Sequence, residues 1–593
     1  MSNDLKMFKN NNDWFSRSES NTMFMDEETR NEKRRLRRLQ WFFVLVLMFC
    51  YVAFTLAQSN LNDLNFKAES EFQPTIKDAV KFTDTPEIKD SVKRFNNLQY
   101  GIQSNPIFPK YQVEPINAAK MQNEPLTKLY HSLIKVGYGP IYNMPYGEAW
   151  VNSTRSREGL YGAHYKHFSS MSHLQDVGYS GFSDNEAEVF GTKFIKKHSL
   201  TGEMNYKRNV VHFYGFDTTM NKISDKNFTK QRFQLFEPKL QLKSHYTDSS
   251  KINHTTQLSF YNLQDLYYAA ENNVKLKTDI NTFINKENFH VNVLADYYNH
   301  KKPKDTINDF IFSVNPYFEA HGKKWHADLG LTATGDFFNK HNKFYFYPQL
   351  NVNYNVYENM IIPYAGVSGG LQKNSFRSLT NENPFINSQI NYANTNNKVN
   401  VFGGLKGNIS STMSYDANVA YSLYDSLHFF VIDYSNNTAL DNRFKVIYDN
   451  ASLLKVGGAL KYQYKEKMNI IAKGNYYMYT PKTLDKAYHK PTYDITLSGL
   501  YNLKSKIIIK ADVFVIGNQW ALTQKQDAPG SYSMAPKLLN YMVDVNVGAE
   551  YRYSKMLGFF VSFNNIANMR YYRWQQYPTQ RFNMMLGLTF VPW

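Results

Sequence analysis

The sequence predicts an all-β fold, a transmembrane antiparallel β-barrel with an even number of strands. Three observations carry that prediction. First, the chain ends on Arg581-Phe-Asn-Met-Met-Leu-Gly-Leu-Thr-Phe-Val-Pro-Trp593, where Phe582, Met584, Leu586, Leu588 and Phe590 alternate with Asn583, Met585, Gly587, Thr589 and Val591. Side chains along a strand point to opposite faces with a period of two, so one face is apolar, as expected of a lipid-facing strand that closes a barrel. Second, the 593 residues have a mean hydropathy of −0.53 yet include 45 Tyr and 43 Phe. Strands with one face in lipid and one in the lumen average out to polar, while two interfacial girdles demand aromatics. Third, terse turns such as Lys196-Lys-His198, His321-Gly-Lys-Lys324, Lys465-Glu-Lys467 and Ser554-Lys555 alternate with longer polar stretches near 170–183, 216–228, 376–396, 434–442, 481–490 and 521–536. A barrel with turns at one end and loops at the other gives this rhythm.

In chain order, residues 1–57 read as a targeting segment. Lys33-Arg34-Arg35-Leu36-Arg37-Arg38 precedes the apolar run Trp41 to Ala57, and Gln58-Ser59-Asn60 follows. This is a basic n-region, an h-region and a cleavage site near Ala57. A membrane anchor is the competing reading, because the run approaches the roughly 20 residues that span a bilayer as a helix. The stretch before the run is long for a signal, and Met23 or Met25 would make a shorter one. Cys50, the single cysteine, lies inside the h-region behind Phe49, where a lipoprotein signal needs a small residue. After cleavage the chain has no thiol for disulfides, metal or nucleophilic chemistry.

Residues 58–131 form an extended pre-barrel segment, periplasmic or lumenal, dotted with Pro74, Pro86, Pro106, Pro109, Pro115 and Pro125. Its apolar anchors, among them Phe66, Phe72, Phe82 and Phe108, predict that part of it lies against the mouth or inside the lumen. The barrel occupies 132–593. Leu350, Val352, Tyr354 and Val356 alternate with polar partners, as do Tyr493, Ile495 and Leu497, and the run Val543 to Tyr553. Counting such segments between turns predicts about 22 strands, within about 18–24. Gly369-Gly370 and Gly403-Gly404 fall inside strand patterns, where glycine marks a bend or close packing.

The stretch Val561-Ser-Phe-Asn-Asn-Ile-Ala-Asn-Met-Arg-Tyr571, followed by Tyr577-Pro578 and the final strand, resembles the end of TonB-dependent receptor barrels. Ile134-Lys-Val-Gly-Tyr-Gly-Pro-Ile-Tyr142, Pro145-Tyr-Gly-Glu148, Asn152-Ser-Thr-Arg-Ser-Arg157, Gly162-Ala-His-Tyr-Lys-His167, Phe182-Ser-Asp-Asn185 and Tyr206-Lys-Arg-Asn209 are similar to plug-less TonB-receptor-like outer-membrane proteins of the Bacteroidota. The resemblance covers most of 70–593. It implies a barrel without a full plug domain, located in the cell outer membrane, and a role in solute uptake, transport or ligand binding there. The alternative is a non-transporting barrel that scaffolds a larger outer-membrane assembly, insertion or secretion complex. A wide barrel without a plug needs something in its lumen: inward-folded loops, the pre-barrel segment, large side chains or a partner.

Charge narrows the partners. Nine basic and seven acidic residues within 1–57 account for +2 of the formal +17, leaving about +15 on the rest. The basic run His300-Lys-Lys-Pro-Lys304 offers Lys301, Lys302 and Lys304 to anionic lipid. The expected partners are therefore outer-membrane lipid and lipopolysaccharide, the barrel-assembly machinery, and a surface lipoprotein or other outer-membrane subunit. Nucleic acid is not one of them, because the basic residues are dispersed and the chain is exported.

No enzyme, cofactor or metal is expected. His164 and His167 have a metal-like spacing, but residues three apart on a strand point to opposite faces. His198-Ser199 and the group Ser169, Ser170 and His173 offer bases and nucleophiles, yet no Asp or Glu is spaced to complete a triad.

Overall fold

The computed structural model describes residues 130–592, apart from 155, 220, 224, 285–286, 303–304, 340, 435–439 and 530. The stretch 1–57 expected to be a signal, with Cys50, nearly all of 58–131, Lys304 and Trp593 lie outside the described residues. The rest is a closed antiparallel sheet of 22 strands, in which each strand pairs with the next along the chain. Ser132–Gly139 is the first strand and Asn583–Phe590 the last, and they close the barrel through Cα partners running from Ile134↔Phe590 to Tyr138↔Leu586. The expected closure of the chain on its own beginning is thus what the structure has. Phe582 falls just outside the last strand, stacked at 6.3 Å on Phe563.

The segments with period-two patterns fall on strands His341–Tyr354, Tyr493–Leu503 and Met542–Arg552, with Val356 and Tyr553 just past the strand ends. Their Tyr354, Ile495, Leu497 and Tyr551 are exposed apolar groups on the outward face. Gly370 follows a register shift after Ser368, so the first glycine pair does bend its strand. At Gly404 a Cβ would press within 2.6 Å of the Tyr364 ring, so the second pair serves close packing.

The two ends differ as predicted, with one amendment. Connections 196–197, 411–412, 465–467, 504–506 and 553–556 share one end with both termini of the barrel. The opposite end carries 171–181, 213–229, 373–394, 433–443, 482–492, 517–541 and 565–582. It also carries short links at 140–143 and 265–269, so loop length there is uneven. Within 517–541, Gln519–Ala528 and Ser531–Leu539 pair as a separate hairpin.

The closing seam has a lock on its inner face. Gly137 and Gly587 are direct partners, and Phe560 pairs with Gly587 from the other side. The Phe560 ring lies across both glycines, so a Cβ at Gly587 would collide with it and with the Val136 carbonyl. An aromatic row continues from there: Phe560 meets Tyr146 at 6.5 Å, Tyr146 meets Phe168 at 6.1 Å, and Phe168 meets Phe182 at 5.2 Å. Rings covering glycines restore the packing that glycine forfeits in a strand. Gly587→Val should therefore prevent closure. On unheated SDS gels, wild type should run as a compact barrel that shifts on boiling, and the variant should run at the boiled position. A heat-shiftable Gly587→Val protein would show that the seam tolerates a side chain.

Candidate functional site

The structure answers what fills the mouth, and the answer begins with a carboxylate on the wall. Glu271 opens the strand Ala270–Ile284 and is fully buried. Its oxygens accept from Tyr261 Oη at 2.6 Å and lie 2.7 Å from His300 Nδ1. They also accept from two backbone amides of loop 373–394, Phe376 N at 2.5 Å and Arg377 N at 3.2 Å. Those amides open the short helix Phe376–Glu382, whose first turn is further capped by reciprocal bonds between Ser375 and Ser378. Free N–H groups and the positive dipole end of a helix attract a carboxylate. The wall thus supplies the charge that lets a seven-residue helix, marginal on its own, hold its place.

Charged contacts pin the loop along its whole length. Arg377 reaches Glu237 in bidentate fashion at 2.8 and 3.0 Å, its guanidinium 4.7 Å over the Tyr261 ring. Lys373 pairs with buried Asp309 and sits over Tyr298 and Phe338. Asn394 bridges Asp309 and Asp336 at 3.1 and 2.9 Å. At the far end of the helix, Glu382 meets His428 at 2.7 Å and Lys490 at 3.0 Å. These contacts belong to strands on well-separated arcs of the barrel, so the loop crosses the mouth.

The other loops pack onto it. Phe385 stacks on Tyr577 at 3.8 Å, and Tyr577 meets Tyr214 at 4.9 Å. Trp574 sits among Phe430 at 5.2 Å, Phe444 at 5.7 Å and His489 at 5.1 Å. Asn442 donates to the Phe213 carbonyl at 2.5 Å, and Arg443 lies 4.4 Å over the Phe213 ring. Loops 213–229, 373–394, 433–443 and 565–582 therefore share one buried apolar core with the inner wall residues Phe233, Leu235, Leu263 and Tyr298, and His489 of loop 482–492 packs against its Trp574. This interlocked core is the first of the lumen fillers expected from the sequence. Beside it lies a cavity of ≈ 340 Å³ lined by Tyr214, Phe385, Tyr571, Asn564, Asn565 and Asp544, among others. Aromatic faces with a few amide and carboxylate groups are the lining of a small-solute site.

The residues singled out by the sequence are scattered. Leu586, Leu588 and Phe590 are exposed at 52%, 47% and 40%, on the face shared with Tyr138, Val136 and Ile134, while Met584 is half-buried. Lys301 is exposed, but Lys302 turns onto the Tyr392 ring of the mouth loop at 5.1 Å. His300, from the same basic run, is buried between Glu271 and Tyr392. His164 stacks on Trp150 and meets Glu148 at 3.2 Å, whereas His167 bonds Asn185, so the two histidines do not converge. Among the described residues, Glu319, His321 and His326 do converge, with ligand atoms within 4.8 Å of one another beside a short turn. Imidazole and carboxylate donors of this kind suit a first-row divalent cation. Sequence alone hides the grouping, because only the hairpin register places His321 opposite His326.

No protein-family model matches the chain, and no curated protein matches it. Solved structures do. The FpvAI–pyocin S2 complex aligns with a TM-score of 0.60 at 11% identity, over 79% of this chain and 70% of that one. The pyoverdine outer membrane receptor FpvA from Pseudomonas aeruginosa PAO1, bound to pyoverdine, aligns at 0.59 and 11%, over 79% of each chain. The FrpB iron transporter from Neisseria meningitidis (F3-3 variant) aligns at 0.60 and 9%, over 78% of this chain and 82% of that one. Likeness at such identities is a likeness of fold. The protein is a closed 22-stranded antiparallel barrel of the TonB-receptor type.

Two loop groups make the core sensitive to acid. Burial among Phe444 and Trp574, with Lys490 adjacent, pushes the His489 imidazole from its ordinary 6.5 down to about 3. Burial alone would raise Glu382, but the His428 hydrogen bond and the Lys490 charge hold it at about 2 against an ordinary 4.5. Both folded values lie below the unfolded ones, so the docked state binds fewer protons. Its stability is complete above pH 6.5 and falls as pH drops, first through His489 and, below 4.5, through Glu382 as well. Trp574 fluorescence should change between pH 6.5 and 3 and return on neutralisation, with the change absent in Trp574→Phe. A flat Trp574 signal across that range would refute the acid-labile core.

Proposed function

We propose that this chain is an outer-membrane barrel for solute uptake or ligand binding, whose surface mouth is closed by its own interlocked loops. The observation that carries the reading is loop 373–394, held by the buried Glu271 cap and by Arg377, Lys373 and Glu382. Polar clamps can be exchanged for water or ligand, whereas a purely apolar closure has no such alternative partners. The barrel fold is shared with a receptor bound to pyoverdine and with an iron transporter, and a solute that passes through the outer membrane by this route must displace the same loop. Acid release of His489 and Glu382 is the solvent analogue of that displacement.

In planar bilayers the full chain should show almost no steady conductance. Replacing 375–392 by a short glycine linker should open it, and removing 60–125 should add to the current only if the pre-barrel segment is a second stopper. A loop-deleted barrel that still folds and stays closed would sink the proposal.

The second reading, a scaffold subunit, is favoured by the apolar half of the same core. Phe385, Tyr577, Phe444 and Trp574 are buried deeply enough to make closure permanent. Purification in mild detergent separates the two, since a scaffold should retain stoichiometric partners.

We also infer that the exposed alternate residues of the last strand face lipid. Leu586→Arg should then cost about 2–4 kcal/mol near the membrane midplane, and Ser498→Arg, inward beside exposed Leu497, far less. Asn583, although inward by pattern, is a poor control because it is buried and accepts from Asn564 at 2.9 Å. Urea unfolding in detergent or bilayers reads the difference, and equal costs at the two positions would reverse the face assignment.

A further inference from the structure

The outer wall carries a second constellation, far from the mouth core in chemistry and facing the other way. Across four neighbouring strands, Tyr165, Ala187, Tyr206 and Phe236 are direct partners, with Tyr165, Tyr206 and Phe236 exposed. One row closer to the turn end, Val151, Ala163, Val189 and Met204 continue the same apolar face. One row closer to the loop end, His167, Asn185, Arg208 and Gln234 are partners and the face becomes polar. Such a change from apolar to polar along the outer wall marks the edge of the hydrocarbon, the depth at which the acyl ester bonds of membrane lipids lie.

At that edge three side chains stand in series. His167 Nδ1 is 2.7 Å from Asn185 Oδ1, and His167 Nε2 is 3.1 Å from Ser169 Oγ. The amide orientation of Asn185 is fixed, because its Nδ2 donates to Ser183 Oγ at 3.2 Å and faces the Arg208 carbonyl at 3.5 Å. Its Oδ1 must then accept, so the proton of neutral His167 is on Nδ1. The lone pair of Nε2 is left for the Ser169 hydroxyl. Nucleophile, base and orienting group are recognised by these roles, not by order along the chain. The sequence offers Ser169 as a nucleophile type but spaces no acid to complete the set. An amide on the neighbouring strand does the orienting, and only the pairing His167↔Asn185 reveals it.

We propose that Ser169, His167 and Asn185 form an acyl-ester hydrolase site on the outward face, taking membrane lipid with a phosphate-bearing headgroup. Ser169 Oγ attacks the ester carbonyl carbon as its proton passes to His167 Nε2. Asn185, a positioning residue, holds the Nδ1–H. Ser183 is the direct partner of Ser169 and accepts from Asn185, so its own hydroxyl proton can turn to the developing oxyanion. The tetrahedral intermediate collapses, the C–O bond of the alcohol breaks, and the leaving oxygen takes the proton from His167. Water, deprotonated by His167, then attacks the acyl–Ser169 ester, the acyl C–O bond to Ser169 breaks as His167 returns the proton to Ser169 Oγ, and the fatty acid is released. Arg208, beside Asn185 on the same face, is placed to pair with the lipid phosphate. The site does not depend on the transport reading.

The test uses the full chain in detergent, with heat-shifted gel mobility as the check of folding. Wild type should hydrolyse p-nitrophenyl butyrate and dioleoyl phosphatidylglycerol in mixed micelles, and a fluorophosphonate should label Ser169. Ser169→Ala and His167→Ala should each lose at least about 100-fold in rate while keeping the folded mobility. Asn185→Ala should lower kcat. Asn185→Asp should restore it and move the acidic limb of the pH–rate profile upward, because a carboxylate stabilises the imidazolium; a merely structural amide would leave the limb in place. Ser199→Ala removes a different serine, one paired with His245 at 2.8 Å, and should change nothing. The proposal is overturned if wild type neither hydrolyses nor labels, if labelling survives Ser169→Ala, or if Ser199→Ala abolishes the activity.

Discussion

Every backbone N–H and C=O that meets hydrocarbon must be paired within the protein, and the rest of this structure depends on that. An open sheet would leave two unpaired edges in lipid, each group costing several kcal/mol. The chain therefore has to bring Ser132–Gly139 back to Asn583–Phe590 across more than four hundred residues. The facing glycines Gly137 and Gly587, covered by Phe560, let the two strands meet without a clash on the inner face. Closure with 22 strands then fixes the diameter, and a barrel of that size encloses space that strand side chains cannot fill.

The loops resolve this second problem with groups the wall itself provides. Glu271, buried without solvent, would be destabilising by itself, and it is tolerable because Tyr261, His300 and two helix amides surround it. The charge that the barrel must neutralise is thus the charge that nucleates the docked loop. Apolar stacking of Phe385, Tyr577, Phe444 and Trp574 supplies bulk, while Arg377, Lys373 and Glu382 set the orientation. Buried networks of this kind rigidify as they are satisfied, and broken ones release together. Coupling of that sort suits a mouth that is either shut or open.

The outer wall obeys a different solvent. Rows of cross-strand partners alternate between the outer face and the lumen, so on a face inferred to meet lipid a polar row lies near a membrane edge or has a use there. His167, Asn185 and Arg208 form such a row, directly above Tyr165 and Tyr206. The inner and outer faces of one strand can therefore carry separate chemistries: Phe168 belongs to the seam's aromatic row and His167 to the wall outside it.

The sequence by itself determined the architecture. Period-two patterning in Tyr493–Leu503 or Met542–Arg552, and the terse turns at Lys196 or Lys465, are local properties that register in any window of ten residues. The same locality made the strand count and the closing strand legible, and it made loop lengths such as the short 140–143 and 265–269 harder to read. Only the tertiary structure decided what fills the barrel and which side chains meet. Glu271 and Phe376 are 105 residues apart, and Tyr214 and Pro578 are 364 apart. His321 and His326, or His167 and Asn185, become neighbours only once the register is known. A shift of one residue would turn every one of those side chains to the other face, so patterning specifies the wall while pairing alone specifies the sites on it.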